Sequence, residues 1–151
     1  MSDIWIDLLA DVIPASQVRD FVMGIPDLGG IVSFEGATRV EADGQHGRLV
    51  RLDYEAYESM ARRQLERMAA EAMGRWRLGR IAVVHRLGPV PVTETSVMIA
   101  VAAPHRVESF EACRWLIDGL KSNVPIWKMD VFEDGFARWV EPASLRNTDL
   151  Y

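Results

Sequence analysis

The chain has 151 residues, with 17 Lys and Arg against 22 Asp and Glu and a formal net charge of −5. That length suits one domain over residues 1–151, burying roughly two-thirds of its unfolded surface without disulfides or structural metals. The acidic balance counts against a nonspecific nucleic-acid binder, the single cysteine excludes an internal disulfide and any cysteine-built zinc or iron–sulfur site, and the longest apolar run, Val97–Ala103, falls far short of the about 20 residues that span a bilayer.

The start, Met1-Ser2-Asp3-Ile4-Trp5, lacks a basic segment followed by a long apolar one, so no signal peptide is expected. With one cysteine, the expected compartment is the reducing cytoplasm. Ile4–Leu9 reads as a short strand. A helix over about Ser16–Met23 follows, with Ser16 as its capping residue after Pro14, and Gly24 and Pro26 end it. Gly29-Gly30 opens a strand over Ile31–Gly36, where the glycines permit close backbone approach. The polar stretch Glu41–Gly47 reads as a mobile loop.

Val50, Leu52 and Tyr54 alternate with Arg51 and Asp53, the pattern of a strand with one buried face. The next helix, about Ser59–Trp76, places Met60, Leu65, Met68, Ala69, Ala72 and Met73 near helical spacing. Its arginines are interleaved with Glu66 and Glu71, as on a solvated face. Ile81–Leu87 and Thr95–Ala102 are β-like runs separated by Gly88, Pro89 and Pro91. Pro104 ends the second, and His105–Leu120 reads as a helix with Phe110, Cys113, Ile117 and Leu120 on its apolar stripe. Ile126–Phe132 and Phe136–Val140 flank the hairpin turn Asp134-Gly135. The order implies one α+β domain with mainly antiparallel pairing and packed helices.

Cations recur at the ends of these elements. His105-Arg106 begin a helix, where unpaired N–H groups and the positive dipole end favour an anion; an exposed polar corner is the plainer reading. Lys121 lies in the last turn of the same helix, which capping alone would explain. Lys128 lies seven positions on, in a strand beside Trp127, with Pro125 between the two lysines. An outward-facing strand lysine is the plainer reading there, whereas two ammonium groups aimed at one place would lower a lysine pKa enough for acid, base or nucleophile chemistry. In Phe34-x-Gly36-x-x-Arg39 a strand ends on a planar cation suited to a carboxylate or phosphate, or to solvent. His85 reads as a satisfied structural histidine, Cys113 as inert core, and no histidine has partners at metal-ligand spacing, so no metal site is expected.

In this order, Gly30-Ile31-Val32-Ser33-Phe34-x-Gly36-x-x-Arg39, Leu52-x-Tyr54-Glu55-Ala56-Tyr57, Val84-His85-Arg86-x-Gly88, Ala103-Pro104-His105-Arg106, Lys121-x-x-x-Pro125-x-Trp127-Lys128 and Arg138-Trp139-Val140-Glu141 resemble the large, catalytic subunit of molybdopterin synthase. The resemblance covers about Gly29 to Glu141 and leaves 142–151 unassigned. It differs from the family's usual pattern at Val40-Glu41-Ala42-Asp43-Gly44 and at Asp130, where a glutamate is frequent. The resemblance implies an α/β-hammerhead-like α+β fold with an additional small sheet, and a homodimer within a heterotetramer. The implied partner is a small ubiquitin-like sulfur-carrier subunit whose Gly-Gly tail ends in a thiocarboxylate. The implied reaction is sulfur transfer from that tail to cyclic pyranopterin monophosphate, giving molybdopterin with no bound cofactor.

Carried over residue by residue, the resemblance makes Lys121 the reacting centre and Lys128 its electrostatic support. Arg39, His105 and Arg106 become substrate and phosphate contacts and Phe34 a pocket wall; in the dimeric family residues of both subunits can approach one pocket, so that either Arg39 or His105-Arg106 can act across the interface. A non-catalytic module that docks the tail of a ubiquitin-like protein is the alternative, and an RNA-binding α+β domain a more distant one.

Overall fold

The two most apolar runs of the chain do not alternate, because both of their faces are covered. In the computed structural model, which describes residues 2–140, the elements are β1 (Ile4–Leu9), α1 (Ala15–Val22), β2 (Gly30–Ala37), β3 (Ala42–Asp43), β4 (Gly47–Ala56), α2 (Glu58–Arg75), β5 (Arg80–Arg86), β6 (Gly88–Pro91), β7 (Thr95–Ala103), α3 (Arg106–Asn123), β8 (Ile126–Phe132) and β9 (Ala137–Trp139). One sheet has the order β1-β5-β7-β2, with β1 and β5 parallel and the other neighbours antiparallel. Ile81, Val83, Val97, Ile99 and Val101 point to a core with Leu65, Met68, Leu116 and Leu120 of α2 and α3. Ala82, Val84, Met98, Ala100 and Ala102 point to a second core with Val18 and Val22 of α1. A strand sandwiched between helices needs apolar residues on both faces, hence the continuous runs.

The second sheet has the order β3-β4-β8-β9, with β6 also paired to β4. Gly88, at φ +82°, turns the chain from β5 in the first sheet to β6 in the second. The α+β class and the mainly antiparallel pairing are as expected from the sequence.

Several local expectations are corrected. Pro14, not Ser16, precedes α1, whose N-terminus has no side-chain cap; the Pro14 carbonyl accepts the Val18 N–H at 3.0 Å. Glu41–Gly47 is not a loose loop but contains β3 and its turn to β4. The Asp43 carboxylate accepts the backbone N–H groups of Gln45 and His46 at 2.8 and 3.2 Å, the local competition that makes aspartate a turn residue. His46 then stacks on Phe136 at 3.8 Å and lies 2.7 Å from Asp134, joining the two hairpin tips.

Met60 and Phe110 lie on exposed flanks of α2 and α3, not on the buried stripes. Leu49, and not Val50, is the inward residue near the start of β4, because the β4–β8 register shifts between Leu49 and Arg51; a single extra residue reverses side-chain facing. The 142–151 tail lies outside the described residues.

Candidate active site

Lys121 and Lys128 stand on either side of one tight turn. Helix α3 ends where the Val124 N–H meets the Leu120 carbonyl at 3.3 Å. Pro125 accepts the Tyr57 N–H at 3.2 Å, and the Tyr57 and Trp127 rings pack edge-on at 5.2 Å. The start of α2 therefore pins the turn, and with it the last turn of α3 and the first residues of β8. Lys121 is half-buried. Burial lowers its ammonium from 10.5 to about 8, so an appreciable fraction is neutral amine near neutral pH, as acid, base or nucleophile chemistry requires.

Lys128 faces the opposite direction from Trp127 by strand alternation and lies directly opposite Tyr54 in the β4–β8 register, with Asp130 opposite Leu52. These four side chains share one face and line a cavity of about 110 Å³ together with Gly36, Arg39, Glu41, Ser96 and Val140. The Tyr54 hydroxyl donates to Ser96 Oγ at 3.3 Å, and Ser96 donates to the Gly36 carbonyl at 3.1 Å, which ties the floor of the cavity to the end of β2. Asp130 is buried, and that burial pushes its carboxyl above the usual range while Arg138, at 3.5 Å, pulls it back.

Arg39 is placed by a crosslink just before it. Thr38 donates to the Glu94 carbonyl at 3.0 Å and accepts from the Thr93 N–H at 2.7 Å, Thr93 having a positive φ of 79°. Glu94 is in turn held by Arg86 at 2.9 Å. Beyond this anchor the Arg39 side chain is 74% exposed and 3.4 Å from Glu41. An exposed pair of this kind contributes little to stability and leaves the guanidinium available to an anion. Phe34 is half-buried on β2 and packs against the core under α2 and α3.

His105 and Arg106 form the other end of the same helix. His105 precedes the first residue of α3 and Arg106 begins it, both exposed. Gly30 explains the local geometry: a Cβ there would come within 2.7 and 2.8 Å of the backbone of His105 and Arg106. Across the 15 helical steps from Arg106 to Lys121, at 1.5 Å each, the two ends are roughly 22 Å apart. Within one chain the structure thus gathers Arg39 and Lys128 around one cavity, sets Lys121 across the adjoining turn, and leaves His105-Arg106 remote. The cavity is also smaller than the about 300 Å³ at which ligand pockets usually begin.

The chain matches the model of the family described as MoaE protein over residues 9–123. It belongs to the MoaE family. A molybdopterin synthase catalytic subunit from rice, Oryza sativa subsp. indica, is 47% identical over 121 residues, covering 79% of this chain and 62% of the rice protein, so the match spans about three-fifths of that relative's length. The protein of the same name from Thermoplasma volcanium is 46% identical over 114 residues, covering 76% of this chain and 82% of the relative. The crystal structure of molybdopterin synthase from Staphylococcus aureus superposes with a TM-score of 0.82 at 32% identity, over 93% of this chain and 98% of that one. This family membership accords with the resemblance read from the motifs.

Sequence reasoning did not single out Tyr54, Ser96 or Glu41 as parts of the site. Tyr54 was within reach, since it shares its strand face with Leu52; Ser96 and Glu41 carry no local signal. Among the described residues no group of three His, Cys, Asp or Glu side chains could hold a metal ion, and no helix is long and apolar enough to cross a membrane.

Proposed function

We propose that this chain is the catalytic subunit of a molybdopterin synthase, acting in the cytoplasm on cyclic pyranopterin monophosphate with sulfur brought by the C-terminal thiocarboxylate of a small ubiquitin-like partner. The observation that carries the reading is Lys121, a half-buried lysine brought down to about 8 by burial beside the turn that leads to Lys128. Family membership and the names of the relatives support it. Both reactants are anions, and Lys121, Lys128 and Arg39 form a local cationic site in a chain whose net charge is −5.

In this reading Lys121 acts at the partner's terminal carbonyl, as proton donor and acceptor or transient nucleophile, and Lys128 stabilises negative charge that develops there. Arg39 receives the pterin phosphate. His105 and Arg106 lie too far along α3 to serve the same chain's Lys121, so they complete the pocket of a second copy in a homodimer, with Phe34 as a wall. Sulfur arrives on the partner, so no cofactor is required. Cys113 is buried and its thiol is pushed up to about 11 by that burial, which keeps it protonated and unreactive.

The test is conversion of cyclic pyranopterin monophosphate by the intact chain and by Lys121→Ala, each with a thiocarboxylated small subunit. Product from the first and none from a folded second is expected. Tight partner binding with no product from the intact chain would instead favour the docking-module alternative.

A further inference from the structure

The cavity between β2, β4 and β8 holds cations suited to two anionic reactants, yet Asp130 lines it as well. A carboxylate at this place repels both reactants. Asp130 is buried and shares its face of β8 with Lys128 by strand alternation. In the β8–β9 register it stands directly opposite Arg138. Arg138 Nε is 3.5 Å from Asp130 Oδ2, and its Nη1 is 3.4 Å from Asp43 Oδ2. The guanidinium also lies over the Phe132 ring at 5.0 Å, so the group that holds Asp130 is itself fixed from two further sides.

Charge balance does not account for the carboxylate. Arg138 is met by Asp43 and Arg39 by Glu41 at 3.4 Å, so both guanidiniums have a counter-ion without it. Burying a carboxyl group is unfavourable unless it is hydrogen-bonded. Burial does push the Asp130 carboxyl up, and Glu41 adds to the rise, while Arg138 and then Lys128 oppose it. These two cations favour the ionised form, which only accepts hydrogen bonds. A ligand group that meets Asp130 must therefore present donors.

The substrate of the proposed reaction carries such a group at one end. In a pterin the N3–H and the 2-amino group are neighbouring donors on one edge of the pyrimidinone ring, spaced for the two oxygens of a carboxylate in the way a guanidinium fork is. The phosphate end offers acceptors and suits the exposed Arg39 instead. An ionised carboxylate has about four lone-pair sites, so the Arg138 contact at Oδ2 leaves capacity for both donors. At about 110 Å³ the cavity is below the size of a complete ligand pocket and suits one ring edge.

We propose that Asp130 is a specificity-determining residue for the pterin end of the substrate: its carboxylate accepts N3–H and the 2-amino group, and Arg138 holds it in that orientation. The inference rests on the synthase reading for the identity of the ligand. Asp130 takes no part in bond making; it selects and orients.

The test pairs a ligand swap with a residue swap in the full-length chain. In lumazine an oxo group replaces the 2-amino group of pterin, and that acceptor would face the carboxylate. Asp130→Asn keeps the side-chain shape and offers one acceptor and one donor, which match lumazine instead. In ligand-detected NMR titrations the wild type should prefer pterin at least about tenfold, and Asp130→Asn should show no preference or the reverse one. Should Asp130→Asn not fold, Asp130→Ser takes its place and should show no preference. The same pterin preference in wild type and variant, or no pterin binding by the wild type, would overturn the proposal.

In the synthase assay Asp130→Asn should raise KM for cyclic pyranopterin monophosphate at least about tenfold and leave kcat within about threefold of the wild type. Asp130→Glu, which keeps both acceptor oxygens, should recover most of the loss. An unchanged KM in Asp130→Asn would count against the contact. A wild type that selects pterin through Asp130 but forms no product would count against the proposed function alone.

Discussion

Replacing Lys121 by methionine keeps an unbranched side chain at the end of α3 and removes a charge that burial disfavours. Burial lowers the ammonium from 10.5 to about 8. At about 1.36 kcal/mol per pH unit, holding the charge in the fold costs up to about 3 kcal/mol, and water around a half-buried side chain reduces this to roughly 2 kcal/mol. The sign follows from proton uptake. Below about pH 8 the folded and unfolded chains both carry the proton, and the penalty is present in full. Between about 8 and 10.5 the unfolded chain binds more protons than the folded one, so wild-type stability rises with pH, and above 10.5 the penalty is gone.

Lys121→Met should therefore be more stable than the wild type by roughly 2 kcal/mol at pH 7, or about 4–8 °C in Tm for a chain of this size. The gap should close by about pH 10.5. Paired urea titrations at pH 7 and pH 10 measure it, since groups common to both chains cancel in the difference. A variant no more stable than the wild type at pH 7, or a gap that does not narrow with pH, would refute the burial penalty. A stabilised but inactive variant is the pattern of a residue retained for chemistry at the expense of stability.

Gly30→Ala should lower stability by about 1–3 kcal/mol, because its Cβ would meet the backbone of His105 and Arg106 at 2.7 and 2.8 Å; urea unfolding measures the loss, and an unchanged midpoint would mean that β2 and the start of α3 can separate freely. Cys113, buried with its thiol raised to about 11, should resist alkylation in the native chain and react on denaturation, and Cys113→Ala should retain turnover. Because about 22 Å of helix separates Arg106 from Lys121, Lys121→Ala, which is inactive, and Arg106→Ala, assayed at a substrate concentration too low for it to turn over, should complement when mixed through denaturation and refolding. Random pairing gives one intact site in half of the dimers, or about a quarter of wild-type activity; no recovery in refolded dimers would place both residues in one chain's pocket. Arg106→Ala alone should raise the substrate concentration required more than it weakens partner binding, as separate titrations against each ligand would reveal.

What the sequence determined by itself is the succession of the longer elements and the chemistry at their ends, whereas the short strands β3 and β6 read in the sequence as a loop and a Gly/Pro separator. The runs of β5 and β7, the Asp134-Gly135 turn and the helix from the start of α3 to Lys121 are local signals, read from propensity and periodicity. The motifs that resemble the MoaE family are local too, and they carried Lys121, Lys128, Arg39, His105, Arg106 and Phe34 before any geometry was available. Periodicity was weaker at the margins of each stripe: Met60 and Phe110 have nearly the right spacing, but which flank of a helix is covered depends on where its neighbours sit. Val50 was misplaced for a similar reason, since a register shift against β8 is a property of the strand pair and not of β4.

The tertiary structure decided everything that depends on two distant segments meeting. It ordered Glu41–Gly47 by docking His46 on Phe136, and it placed Arg39, Tyr54, Ser96 and Lys128 around one cavity from four separate strands or strand ends. It also changed the meaning of His85. In the sequence this is one histidine in an apolar strand; in the fold it is a fully buried imidazole, kept neutral by burial and then by the charges of two lysines that are 36 and 43 positions further along the chain. The separation of His105-Arg106 from Lys121 follows from the rigid rise of α3, so in the proposed function completion of the pocket passes from the chain to its assembly.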